Sequence, residues 1–180
     1  VTPPASSQQS FLMLLTLLSI FGIGLIACWW RIRALGDVRY HLPAFYGWFA
    51  AAFLIYLAMV WIVRRSTPLA TRRQQLFPLG VILTTAVAAR LLMLGTTPTL
   101  SDDLYRYRWD GRVQLAGIDP YRYPPNDPAL AFLRDAEFGR INFPHLRTVY
   151  PPLTQLAFRA GAMVGPGLTA QKAIFVSAEL

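Results

Sequence analysis

Cysteine and lysine are almost missing from this chain of 180 residues, which holds one of each, Cys28 and Lys172. A single cysteine excludes an internal disulfide and any cysteine-built metal cluster. Cys28 lies in an apolar run and reads as a small buried hydrophobe. Charge is scarce too, since charged residues make up only 14% of the sequence and 54% of it is hydrophobic. A soluble domain carries about 25% charged residues. The formal charge is +8, with arginine supplying 16 of the 17 cations. No Lys/Arg-rich soluble face exists, however, to lie along a duplex. Nucleic acid is therefore excluded as a partner. No internal repeat and no low-complexity tract is present.

What the sequence does have is apolar length. Three long apolar runs occupy positions 11–30, 45–63 and 76–94. Each is about 20 residues long, the length that crosses a hydrocarbon core of about 30 Å. Residues 1–10 read as a short polar tail. The first run lacks the basic leader and small-residue cleavage site of a signal peptide. Trp29, Trp30 and Arg31 end it as an interfacial anchor. Tyr46, Trp48 and Trp61 flank the second run as an aromatic belt does. Arg64, Arg65, Arg72 and Arg73 make the next loop basic. Pro78 is expected in the first turn of the third run, where its missing N–H costs little. Arg90 is the one charge inside the spans. It is close enough to a helix end to snorkel, and facing the polar interval that follows is the other use open to it.

Six of the seven aspartates fall after the third run: Asp102, Asp103, Asp110, Asp119, Asp127 and Asp135. The interval 95–152 balances seven arginines with seven acids and carries eight prolines with many aromatics. That is too apolar for a disordered linker, and it reads as a small ordered lobe on the membrane face. Ser101 is placed to cap a helix over 102–116, with Asp102 and Asp103 in its first turn. Gly117 and Pro120 act as its stop signals. Helical phasing puts Asp103, Tyr107, Asp110 and Gln114 on one face, with Arg106 beside it. Tyr105, Trp109 and Arg112 fall opposite, where aromatic bodies can rest at headgroup level, with packing the favoured role for Trp109. Plain structural readings stand beside this one: the acid pair as a helix cap, and Asp110 with Arg106 or Arg112 as a surface ion pair. The proline-rich 119–128 stretch must turn, and a short helix fits 128–137. Segments 153–164 and 168–180 read as short helices broken at Gly165-Pro166-Gly167.

An ordered series of motifs runs through this region: Asp102-Asp103 after a span, YRYRWDGR at 105–112, GIDPY at 117–121, Pro124-Pro125, and YPP at 150–152 before the next helix. In that order they resemble the C-type (GT-C) integral-membrane glycosyltransferases, especially the bacterial polyprenol-phosphate-mannose-dependent mannosyltransferases of the cell envelope. The resemblance covers residues 95–180 and implies an all-α polytopic membrane protein: a truncated GT-C-like helix bundle whose first large extracytoplasmic loop carries a short amphipathic helix. The whole of 1–180 is then one truncated integral-membrane domain, the N-terminal part of a longer enzyme and inactive alone. The acidic loop follows the third span rather than the first, which an extra hairpin over 11–63 accounts for.

The implied activity is transfer of a mannose-like hexose, with inversion, from a polyprenyl-phosphate-linked sugar donor to a lipid or glycan acceptor. The implied location is the inner (plasma) membrane, with membrane lipid around the spans. A loop aspartate, Asp103 or Asp102, takes the proton of the attacking hydroxyl, because a sugar hydroxyl is a poor nucleophile at neutral pH. The lipid phosphate leaves as a stable anion and needs positive charge near it, for which Arg106, Arg108, Arg112 and Arg90 are candidates in that order. Tyr107, Asp110 and Tyr150 complete the expected substrate contacts. No metal ligand set is assigned and no cofactor is certain; neighbouring carboxylates leave a divalent cation open. A plain arginine count, four inside against ten outside, opposes this orientation; the resemblance decides for it. The rival readings are a transporter or flippase of a lipid-linked substrate and a non-catalytic membrane scaffold.

Overall fold

The structure, a computed structural model, describes residues 5–66 and 71–179. Among these residues it is all-helical, in two compact units: one up to Met93, the other from Leu94.

The first unit contains α1 (Ala5–Ala34), α2 (Leu42–Arg65) and α3 (Arg72–Leu94). Within them Gln8–Ala34, Leu42–Arg65 and Gln74–Leu94 are long and apolar enough to cross a membrane. Each helix outruns its apolar run, because local signals rather than hydrophobicity end a helix. The expected tail is helical from Ala5, with residues 1–4 outside the described residues. Gly36, at φ 66°, turns the chain after α1, and Asp37 accepts from the Arg39 N–H to start a 3-10 turn, Val38–Tyr40. Helix α3 begins at a reciprocal cap. Thr71 Oγ1 accepts from the Gln74 N–H at 3.2 Å, and Gln74 Oε1 accepts from the Thr71 N–H at 3.2 Å. Each side chain thereby satisfies an N–H that the helix start would leave unpaired. That start places Pro78 inside the helix, not in its first turn as expected. Of the basic loop, residues 67–70 lie outside the described residues.

Leu14, Leu18 and Met59 form the centre of this unit, packed by Phe21, Leu25, Ile55, Ile62, Val81 and Ile82. Many other apolar side chains face outward, Ile23 and Leu54 among them, as a lipid-facing surface requires. Arg31 lies over Trp48 at 5.2 Å and Arg65 over Trp61 at 5.6 Å. The aromatic ends of the spans thus hold the flanking cations. Arg33 Nη1 donates to the Leu92 carbonyl at 2.7 Å. It caps the end of α3, which has no basic residue in its own last turn. Arg90 donates to the Ala86 carbonyl of its own helix and lines an apolar cavity of about 620 Å³ with Trp29 and Phe49. Cys28 is buried and free, as a small hydrophobe.

The second unit is built on α4 (Asp103–Leu115), with α5 (Pro152–Val164) and α6 (Leu168–Glu179) as a hairpin beside it. The first of these helices ends in a left-handed stop at Gly117, φ 77°. There the Ile118 N–H reaches the Val113 carbonyl and the Gly117 N–H the Gln114 carbonyl, which satisfies two otherwise orphaned acceptors. The break at 165–167 falls where expected. Of the expected 128–137 helix only Pro128–Leu133 is helical, as a 3-10 helix capped by Asp127, and a separate 3-10 turn, Phe138–Arg140, follows.

Two corrections follow from how α4 is enclosed. Tyr105 and Trp109 do not rest at a headgroup surface: they are 3% and 2% exposed and form a core with Val113, Leu130 and Ile141. The chain after α4 folds back over that face, so α4 is covered on both sides and is not an amphipathic surface helix. Its other side meets α5 so closely that a Cβ at Gly111 would collide with the Phe158 carbonyl.

Candidate functional site

The seven aspartates separate by what their carboxylates do. Asp37, Asp119, Asp127 and Asp135 each accept a backbone N–H two residues on, the ordinary work of turn aspartates. Asp135 also receives Arg108 Nη2 at 2.6 Å and Arg112 Nη1 at 2.5 Å. The Arg108 hydrogen bond holds its carboxyl below the usual carboxylate range, against the opposing effect of partial burial. Arg108 further donates to the Pro166 carbonyl and lies 3.7 Å from Glu137. Two of the arginines expected to hold an anion thus already have carboxylates within the lobe.

Asp110 is 2% exposed. Its Oδ1 accepts from Arg106 Nε at 2.9 Å and its Oδ2 from Gln155 Nε2 at 2.9 Å. The pair expected at the surface is therefore a buried one. Breaking a buried pair by removing one partner costs about 3–5 kcal/mol. Gln155, which sequence reading did not single out, donates to Thr148 Oγ1 at 2.8 Å, and its Oε1 accepts from Gln114 Nε2 at 2.8 Å. A helical glutamine just inside a proline start carries no sequence signal for this; only the α4–α5 contact reveals it.

That leaves Asp102 and Asp103. The helix starts one residue later than expected. Asp102 is the cap residue, exposed, with no capping hydrogen bond from its side chain, while Ser101 Oγ accepts the Asp103 N–H at 3.2 Å. Asp103 is half-buried, and its Oδ1 accepts from Asn142 Nδ2 at 2.9 Å, a second residue absent from the sequence reading. Tyr107 stacks on Phe158 at 4.4 Å and meets Tyr150 edge-on at 5.0 Å. Burial pushes the Tyr150 phenol well above its ordinary range, and the Tyr107 hydrogen bond and the Asp103 charge push it the same way; only the Arg106 charge opposes them. Tyr150 is thus a neutral phenol at any physiological pH. Arg140 donates to the Tyr105 hydroxyl at 2.6 Å, which raises its own proton affinity further.

The motif series is also joined in space. The Tyr121 hydroxyl donates to the Tyr150 carbonyl at 2.5 Å, Pro125 is fully buried, and Pro151 and Pro152 open α5. Asp103, Arg106, Tyr107, Asp110 and Tyr150 come together around the first half of α4, whereas Arg108 and Arg112 point to the Asp135 side. Among the described residues no three His, Cys, Asp or Glu side chains converge as a metal would need. Fold and site together define an all-helical protein with three helices fit to cross a membrane and a second helical unit with a polar, acid-bearing interior. No family model, curated protein or solved structure matches the chain.

Proposed function

We propose that the chain is the part of a C-type integral-membrane glycosyltransferase that carries its acidic site, moving a mannose-like hexose from a polyprenyl-phosphate donor to a lipid or glycan hydroxyl on the extracytoplasmic side. The observation that supports this best is the pairing of a pre-oriented carboxylate with a cation that has an unspent donor. Asp103 is fixed through one oxygen by Asn142, while Arg106 Nη2 is buried and has no hydrogen-bond partner.

In this reading the acceptor hydroxyl attacks the anomeric carbon and gives its proton to Asp103, with Asp102 as the alternative base. The bond from that carbon to the phosphate oxygen breaks, and its electron pair leaves on the lipid phosphate. Arg106 holds the growing negative charge, and the neutral Tyr150 adds no negative charge beside it. A single displacement inverts the anomeric centre.

The test is sugar transfer by the full-length protein in detergent, from a polyprenyl-phosphate mannose donor. Loss of a general base lowers turnover by about 10²–10⁴-fold, so Asp103→Asn should fall by that much and Asp102→Asn by less. Full activity in both variants, at normal expression, overturns the base assignment.

A further inference from the structure

We infer that Gln155 is a positioning residue that keeps Arg106 available to an anion by occupying the second oxygen of Asp110. The inference rests on the reading of Arg106 as the phosphate-holding group and adds the device that presents it.

An arginine beside a carboxylate usually closes a two-pronged pair, spending Nε and one Nη on the two oxygens. Here Arg106 and Asp110, one turn apart on α4, make a single prong: Nε to Oδ1 at 2.9 Å. The second prong is absent, and Oδ2 is instead turned to Gln155 Nε2 at 2.9 Å. Nη2 is left buried without a partner, in a side chain only 6% exposed. A buried charged donor with nothing to bond is costly, and an anionic oxygen removes that cost.

The glutamine cannot easily turn away. Its amide nitrogen has a second acceptor in Thr148 Oγ1 at 2.8 Å, and its oxygen accepts from Gln114 Nε2 at 2.8 Å. Thr148 lies two residues before Tyr150, whose hydroxyl feels both Arg106 and Asp103. The same amide therefore ties α5 to Asp110 and holds the carboxylate that orients the guanidinium. The ligand class this geometry takes is a phosphate ester whose oxygen completes the Arg106 fork. The device also gives Asp110 its place: it is the counter-charge behind Arg106, not a group that touches substrate.

The experiment titrates farnesyl phosphate, a short prenyl phosphate, into the full-length protein in detergent and reads the dissociation constant by calorimetry. Gln155→Leu lets Arg106 close the two-pronged pair with Asp110 and should weaken binding about tenfold or more. Arg106→Lys should weaken it comparably, and the double variant should be no worse than Arg106→Lys alone. Thr148→Val removes the other bond of the same amide but leaves Asp110 Oδ2 occupied, so binding should stay within about twofold. A Gln155→Leu protein that binds as wild type, effects that simply add, or a Thr148→Val loss equal to that of Gln155→Leu overturns the inference; so does a wild type that binds no farnesyl phosphate. If Gln155→Leu does not fold, Gln155→Met makes the same comparison. Sugar transfer is measured in parallel. Coupled binding without transfer defeats the transferase reading alone, and transfer with uncoupled binding defeats this inference alone.

Discussion

The approach of α4 to α5 gives the sharpest quantitative expectation, through Gly111→Ala. A Cβ there lies inside the contact distance of the Phe158 carbonyl oxygen and carbon and 3.0 Å from the Ala162 Cβ. Overpacking of this kind costs about 1–3 kcal/mol. The obstacle is backbone, which cannot rotate aside, so the upper part of that range applies, ~2–3 kcal/mol. Alanine returns ~1 kcal/mol through its better helix propensity. The net loss is therefore ~1–2 kcal/mol, or a fall of about 4–8 °C per kcal/mol for a unit of this size. Trp109, 2% exposed in the same unit, reports the melt by its fluorescence in detergent. Gly80→Ala on α3 is the control, because a Cβ there meets nothing within 4 Å. Its propensity gain of up to ~1 kcal/mol stands unopposed. If Gly111→Ala melts at or above wild type while Gly80→Ala behaves as stated, the close packing of α4 on α5 is refuted.

Two further expectations concern pH. Asp135 has a depressed carboxyl pKa, so its contribution to stability is present above the ordinary carboxylate value of ~3.9 and is lost as pH falls through the folded value. Asp135→Asn should flatten the acid limb of a detergent melt-versus-pH curve, and an unchanged limb would count against the Arg108 and Arg112 contacts. Tyr150 is shifted the other way: its contribution is present below ~10 and is lost as pH rises from there toward the folded value. In an ultraviolet titration Tyr150→Phe should ionise as many phenols at pH ~10 as wild type does. One phenol fewer would show that Tyr150 titrates normally.

The three spans were legible because hydrophobic length is a one-dimensional signal, and the stop at Gly117 and the break at 165–167 because glycine and proline act locally. The cap at Thr71 and Gln74 was also written in the chain, but lay under a reading that began the span at its first apolar residue. The two sides of α4 were phased correctly, since Asp103, Tyr107 and Asp110 do lie together. What phasing could not give was the cover on each side. Packing is the favoured role of Trp109 in the sequence, but nothing there names Leu130 and Ile141 as the residues that fold back on it. Asn142 and Gln155 were missed for the same reason, as amides whose meaning is their partner in space.

The burial of Asp110 against Gln155 also imposes an order on synthesis. The glutamine that covers the aspartate lies well downstream of it, with the whole of the intervening lobe between α4 and α5 still to be made. At ~5–20 residues per second that is a delay of a few seconds. Over that interval the carboxylate and the guanidinium of Arg106 have each other and water, but not the amide that later covers them.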